Sequence, residues 1–226
     1  MQQPPHYLSR PEAQLGPGLR ESFDQVFRER IRGGSGMLID YALSAPKWQF
    51  LSYLGDTKEV LFHGSGNPDI ARFEPRQSND VVEFGNQRAV YASSDAIWAS
   101  YFGILDRDGY VGSLVNSCFR VTGPNIKSGP HYYFSINSDA LPHRPWRTAT
   151  VYILSRQGFE QQPRKLSHGA EIESAQWRSF SPVTPLAKIT VEPEEFPFLA
   201  QIHGHDQAVV QQRAQADPEG FPWLDD

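Results

Sequence analysis

Apolar residues recur at helical spacing near the start of the chain and in short, strand-like runs after residue 58. Leu19, Phe23, Val26, Phe27 and Ile31 fall at i, i+4, i+7, i+8 and i+12 with Arg and Glu between them, predicting a helix that Gly33-Gly34 ends. Met37–Leu43 reads as a second short helix, and Pro46 opens a third through Trp48, Phe50, Leu51 and Leu54, before a turn at Gly55-Asp56. Strands are predicted at Glu59–His63, Ala89–Ser93, Leu114–Val121, Tyr132–Ile136, Thr148–Leu154, Gln176–Phe180 and Leu186–Val191. Between the first two strands, residues 64–87 read as loop, rich in Gly, Pro, Asn and Asp; 122–130 and 156–169 read as turn clusters. Ser94 is placed as the N-cap of a helix over Asp95–Leu105, with Ile97, Trp98, Tyr101, Phe102 and Leu105 at helical spacing.

Helices come first and strands follow, which favours an α+β fold over alternating βαβ units. Four segments result: an extended arm over 1–18, rich in Pro and Gly; a helical extension over 19–55; a mixed domain over 56–199; and a short helix with an acidic arm over 200–226. The length of 226 residues and 39% hydrophobic content support a sizeable core. A net charge of −5 disfavours a global polycation for nucleic acid or anionic membrane. No apolar run reaches the roughly 18 residues of a membrane helix, and the first 17 residues carry no hydrophobic signal core. The single cysteine, Cys118, permits no internal disulfide or cysteine zinc site; it reads as buried and inert in a protein kept in the cytosol.

Several standard chemistries are missing. Gly64-Ser65-Gly66 lacks the third glycine of a dinucleotide fingerprint, and there is no phosphate-loop lysine pattern and no Gly-x-Ser-x-Gly elbow. His203 and His205 read as loop histidines, so no metal is expected. What stands out is three polar signals on strand edges. Leu61-Phe62-His63-Gly64-Ser65 ends an apolar strand with a histidine, then a glycine that lets a ligand approach the backbone. Ala89-Val90-Tyr91-Ala92-Ser93 runs into the aromatic helix, and Gln176-Trp177-Arg178-Ser179 opens a late strand.

This ordered triplet resembles the catalytic core of the ADP-ribosyltransferases, in the His–Tyr–Glu branch that includes diphtheria toxin and the poly(ADP-ribose) polymerases. The resemblance covers about residues 58–192. It implies a split pair of β-sheets with NAD in the cleft between them. It also implies that His63 meets the adenosine ribose, Gly64 the nicotinamide amide through its backbone, and Tyr91, beside Ala92, the nicotinamide ring. Ser65 stands where many members have threonine, Tyr101 resembles a second stacking tyrosine, and Trp98 stands near a position some members fill with serine. The loop Asn67–Asn86 would cover the cofactor, with Arg76 suited to its pyrophosphate.

The third position departs from the family, which generally has Glu there; here it is Gln176, before Trp177, which reads as core packing. Glu171 and Glu173 lie close by, but in a continuous strand they face away from Gln176 unless a bulge intervenes. Ser174 stands where the upstream Glu of a Glu-x-Glu pair would be, which disfavours an arginine acceptor. Gln176 is thus a variant that retains activity, the mark of a degenerate NAD site, or an isosteric replacement of a Glu. The resemblance implies an NAD-dependent ADP-ribosyltransferase acting on an unspecified acceptor. A non-catalytic NAD or ADP-ribose binding module, an NAD glycohydrolase, and a small interaction domain remain as alternatives.

Overall fold

The computed structural model describes residues 6–80, 82–123, 126–167, 170–217 and 220–223. Its N-terminal part holds strand β1 (Leu8–Ser9), helix α1 (Pro17–Val26), a π-helical turn over Phe27–Ile31 and helix α2 (Lys47–Thr57). Then come β2 (Val60–Ser65), β3 (Arg76–Gln77), β4 (Arg88–Ser93) and α3 (Ala96–Ile104). The later strands are β5 (Leu114–Gly123), β6 (Ile126–Lys127), β7 (His131–Asn137), β8 (Ala149–Ser155), β9 (Glu160–Gln161), β10 (Lys165–Ser167), β11 (Ala170–Ser174), β12 (Gln176–Ser179), β13 (Ala187–Val191) and β14 (His203–His205), before α4 (Gln207–Ala216).

The strands form two sheets. The first runs β1-β7-β5-β11-β10, with β14 and β6 attached; the second runs β13-β8-β2-β4-β12-β9, with β3 on β4. Nearly all pairings are antiparallel, β14 on β7 being parallel. The fold is therefore α+β. The main core joins α1, α2 and α3 to both sheets through Phe23, Phe50, Leu54, Phe62, Tyr101, Tyr132 and Phe134. A smaller core lies on the other face of the second sheet, around Leu61, Phe73, Val90, Ala92, Tyr152 and Leu154.

One junction ties the sheets together. β11 pairs β5 in the first sheet and β12 pairs β4 in the second, with only Ala175 between them. The Ala175 N–H donates to the Cys118 carbonyl at 3.0 Å, and its carbonyl accepts from Ser94 N at 2.9 Å. The chain thus changes sheets within one residue, without a bulge.

Several local expectations change. Residues 37–39 are extended rather than helical: Ile39 N donates to Lys188 O and Lys188 N to Met37 O, so the segment lines the edge of β13. Gly34 and Gly36, both at positive φ, turn the chain into that path. Gly55 lies inside α2 instead of a turn, and a Cβ there would stand 2.8 Å from the Ser94 carbonyl. The N-cap of α3 is Asp95, not Ser94: its carboxylate accepts from Trp98 N at 3.0 Å. The 156–169 turn cluster holds β9 and β10, 64–87 holds β3 and a 3-10 turn at Glu83–Gly85, and β5 and β6 extend into 122–130.

The described parts of both terminal segments pack on the body of the protein. β1 pairs with β7, α1 already starts at Pro17, and Arg10 reaches the buried Asp95 at 2.6 Å. Phe221 packs on Tyr133 and Tyr7, and Asp206 caps α4 by accepting from Ala208 N and Val209 N. Glu219, Asp225 and Asp226 of the expected acidic arm lie outside the described residues.

Candidate functional site

His63, Tyr91 and Gln176 lie on three neighbouring strands, β2, β4 and β12. Phe62 pairs with Ser93, and Ser93 with Gln176, so these three share a sheet face. Alternation puts Tyr91 and Gly64 on that face too, with α3 packed on Gly64, and sends His63, Ser65, Ala92 and Trp177 to the other. The triplet therefore straddles the sheet.

It does so where β2 and β4 part. Their ladder is the single pairing Phe62↔Ser93, while β2 stays paired to β8 through Ser65. The His63 imidazole spans the widening gap, with Nδ1 2.7 Å from the Tyr91 carbonyl. A carbonyl only accepts, so Nδ1 carries the proton and Nε2 of the neutral ring is an acceptor. Burial lowers the His63 pKa despite that hydrogen bond, which keeps the ring neutral at pH 7. Phe73, from the loop after β2, packs against the ring at 4.6 Å between centroids.

Tyr91 is half-buried and its hydroxyl is fully engaged. It donates toward the Phe84 carbonyl at 3.0 Å or that of Gln87 at 3.3 Å, and accepts from Gln87 N at 2.9 Å. Arg178, opposite Tyr91 in the β4–β12 ladder, donates to the same Phe84 carbonyl at 3.1 Å. Its guanidinium lies 4.0 Å from the centre of the Phe84 ring and pairs with Glu160 at 2.5 Å. The sequence reading missed this role of Phe84, Gln87 and Arg178. One signal was present, since Arg178 lies two residues from Gln176 and so shares its face.

Other expected site residues fall elsewhere. Gly64 is a glycine because α3 packs on it: a Cβ would sit 1.9 Å from the Ala99 carbonyl, so on that side the close neighbour is a helix, not a ligand. Tyr101 is fully buried, with its hydroxyl on the Ser135 carbonyl at 3.0 Å, and is a core residue rather than a stacking wall. Phe102, next to it, is the half-buried aromatic of α3. Ser65 Oγ accepts from Asn67 N at 3.1 Å, Ala92 is buried in the smaller core, and Arg76 is exposed on β3 opposite Ala89. The Trp98 indole donates to Asn116 at 2.7 Å, and Trp177 flanks the smaller core under Arg156. Burial pushes the Cys118 thiol well up, so it stays protonated.

Neither carboxylate replaces Gln176. Glu173 is on β11, in the other sheet, held by Lys127 at 2.7 Å and Arg164 at 2.6 Å. Partial burial opposes its ionisation, but these two cations prevail and hold its pKa low. Arg164 also pairs with Glu171 at 3.3 Å. Among the described residues no hydrogen bond reaches the Gln176 amide group or His63 Nε2.

A groove of about 330 Å³ opens beyond Ser65 on the His63 face. Thr150, Thr190 and Lys188 line it, with Met37 and Leu38 along one wall and Pro68-Asp69 along another. Among the described residues no group of His, Cys, Asp and Glu is arranged to hold a metal ion, and no helix is long and apolar enough to cross a membrane. His205 instead lies between Ser113 at 2.8 Å and Ser135 at 2.6 Å. Comparison with protein-family models, with curated proteins and with solved structures found no match.

Proposed function

We propose that this chain is an NAD-dependent ADP-ribosyltransferase with the split pair of sheets of that family, and that Gln176 slows its transfer step. The observation that carries the reading is the adjacency of β2, β4 and β12, which sets His63 on one face and Tyr91 and Gln176 on the other, close to where β2 and β4 part. An elongated dinucleotide crossing that gap would meet both faces. His63 Nε2 accepts a hydroxyl of the adenosine ribose, the groove beyond Ser65 takes the adenosine half, and the Tyr91 ring lies against nicotinamide.

In the reaction, the bond from the ribose anomeric carbon to the nicotinamide nitrogen breaks and nicotinamide keeps the electron pair. An acceptor oxygen or nitrogen bonds to that carbon and gives up a proton. The ribose becomes oxocarbenium-like on the way. A carboxylate at position 176 would stabilise that charge, whereas glutamine supplies a dipole alone. Losing one such contact costs about 2.7–4 kcal/mol, or about 10²–10³ in rate. Water as acceptor gives the NAD glycohydrolase variant of the same chemistry.

The ion pairs that lock Glu173 favour a second reading, a binding module for NAD or ADP-ribose without turnover. Nicotinamide release by the unchanged protein and by Gln176→Glu, measured side by side, separates the two. Slow release that rises about 10²–10³-fold in the variant is expected. Stabilisation by NAD without release from either protein favours the module. No release and no thermal stabilisation by NAD, where a saturating ligand at 100 times its Kd adds about 2.7 kcal/mol, overturns both.

A further inference from the structure

We propose that Arg178 is a positioning residue for Tyr91, acting through the Phe84 carbonyl. The inference rests on the transferase reading only in taking the Tyr91 ring as a wall of the NAD site. Tyr91 and Arg178 are cross-strand neighbours, and the Phe84 carbonyl accepts from both, at 3.0 and 3.1 Å. The guanidinium is well placed for the task. One nitrogen donates to that carbonyl, Cζ lies over the Phe84 ring at 4.0 Å and over Phe180 at 4.9 Å, and Nε is held by Glu160. A guanidinium offers a planar face and directed donors together, which an ammonium does not.

The arrangement fixes a segment with few other anchors. Residues 83–85 form one 3-10 turn, tied mainly by its own backbone and by Tyr91. With Arg178 in place, the tyrosine hydroxyl has one geometry that satisfies Phe84 and Gln87 together, and the ring plane follows. Without it, the Phe84 carbonyl loses one of two donors and the turn loses its side-chain tether to β12. Arg178 then touches no reacting atom, yet it sets the surface on which nicotinamide rests.

Two measurements test this. The Gln87 amide donates to the Tyr91 hydroxyl, so its hydrogen exchange reads the clamp with no ligand present. In Arg178→Met, exchange at Gln87 should be about fivefold faster, the worth of one ordinary hydrogen bond, with the thermal midpoint little changed. NAD affinity, read by calorimetry, should fall by a similar factor of about five in Arg178→Met and in Tyr91→Phe, and no further in the double variant, because both act through one carbonyl. Arg178→Lys, which keeps a cation over Phe84, should recover part of the loss. Unchanged exchange at Gln87, or losses of NAD affinity that add in the double variant, overturns the proposal. If the unchanged protein does not bind NAD at all, the transferase reading fails, and the exchange result still decides the clamp.

Discussion

Two polar clusters in this molecule contrast in how far their hydrogen bonds are closed. Around Arg10, each strong group has a partner. The guanidinium meets Asp56 at 2.6 Å, Asp95 at 2.6 Å and the Tyr132 hydroxyl at 3.2 Å; Tyr132 donates to Asp95 at 2.7 Å, and Asp95 also caps α3. Burial lowers the Arg10 pKa, but Asp95, Tyr132 and Asp56 together more than reverse this and hold it raised. Around His63 the set stays open. Nδ1 is committed to Tyr91, while Nε2 and the Gln176 amide have no partner among the described residues. A closed cluster holds the fold, while the open one presents atoms that water reaches and a ligand group can take over.

The sharpest way to break the comparison is Arg10→Ala. It leaves Asp95 buried without its cation, and should cost about 3–5 kcal/mol in urea unfolding. Arg10→Met with Asp95→Asn should recover much of that, since both charges go together. A loss below about 1 kcal/mol for the single variant would put the Arg10 cluster among ordinary surface ion pairs. Gly64→Ala comes next. Its methyl would collide with the Ala99 carbonyl and push α3 outward, at about 1–3 kcal/mol of overpacking, read as a lowered unfolding midpoint. An unchanged midpoint would mean that the approach of α3 to β2 is slack.

The smallest effect sharpens the open side. Burial lowers the pKa of His63 from 6.5 in the folded protein. The folded state then refuses a proton that the unfolded chain accepts. The contribution is complete above the unfolded value and is lost as pH falls through 6.5. His131, His203 and His205 are depressed in the same way, also chiefly by burial. The urea midpoint should therefore fall between pH 7.5 and 5.5, where the carboxylates stay ionised, and His63→Gln should flatten part of that slope. A midpoint that is level across this range would mean the four rings are better solvated than their packing indicates.

The sequence showed best where local pattern and final environment agree. α1 and most strands followed their apolar spacing, and in the structure the strands that carry His63, Tyr91 and Gln176 are neighbours in space. It failed where distant partners decide. Met37–Leu43 has the spacing of a helix, yet Lys188 offers it an unpaired sheet edge, and ladder bonds outweigh a weak local preference. Tyr101 looked like a stacking residue, because nothing local reveals that α3 is buried almost all round and that Ser135 takes its hydroxyl. Ser94 lost the N-cap to Asp95, which the N-terminal segment stabilises from 85 residues away. The sheet change at Ala175, which settles where Glu173 goes, is written in two separate registers and in no local motif.

That change of sheet also bears on how the chain folds. Within the first sheet, β5 and β7 are close in sequence and can pair early. In the second, β2 must find β8 across the stretch of chain that holds β3 to β7, a non-local pairing that is slow. Because β11 and β12 are joined through one residue, the segment that adds a strand to one sheet adds a strand to the other in the same event. β11 on β5 and β12 on β4 therefore dock as one hairpin-free stretch of chain, whichever sheet is the first to form.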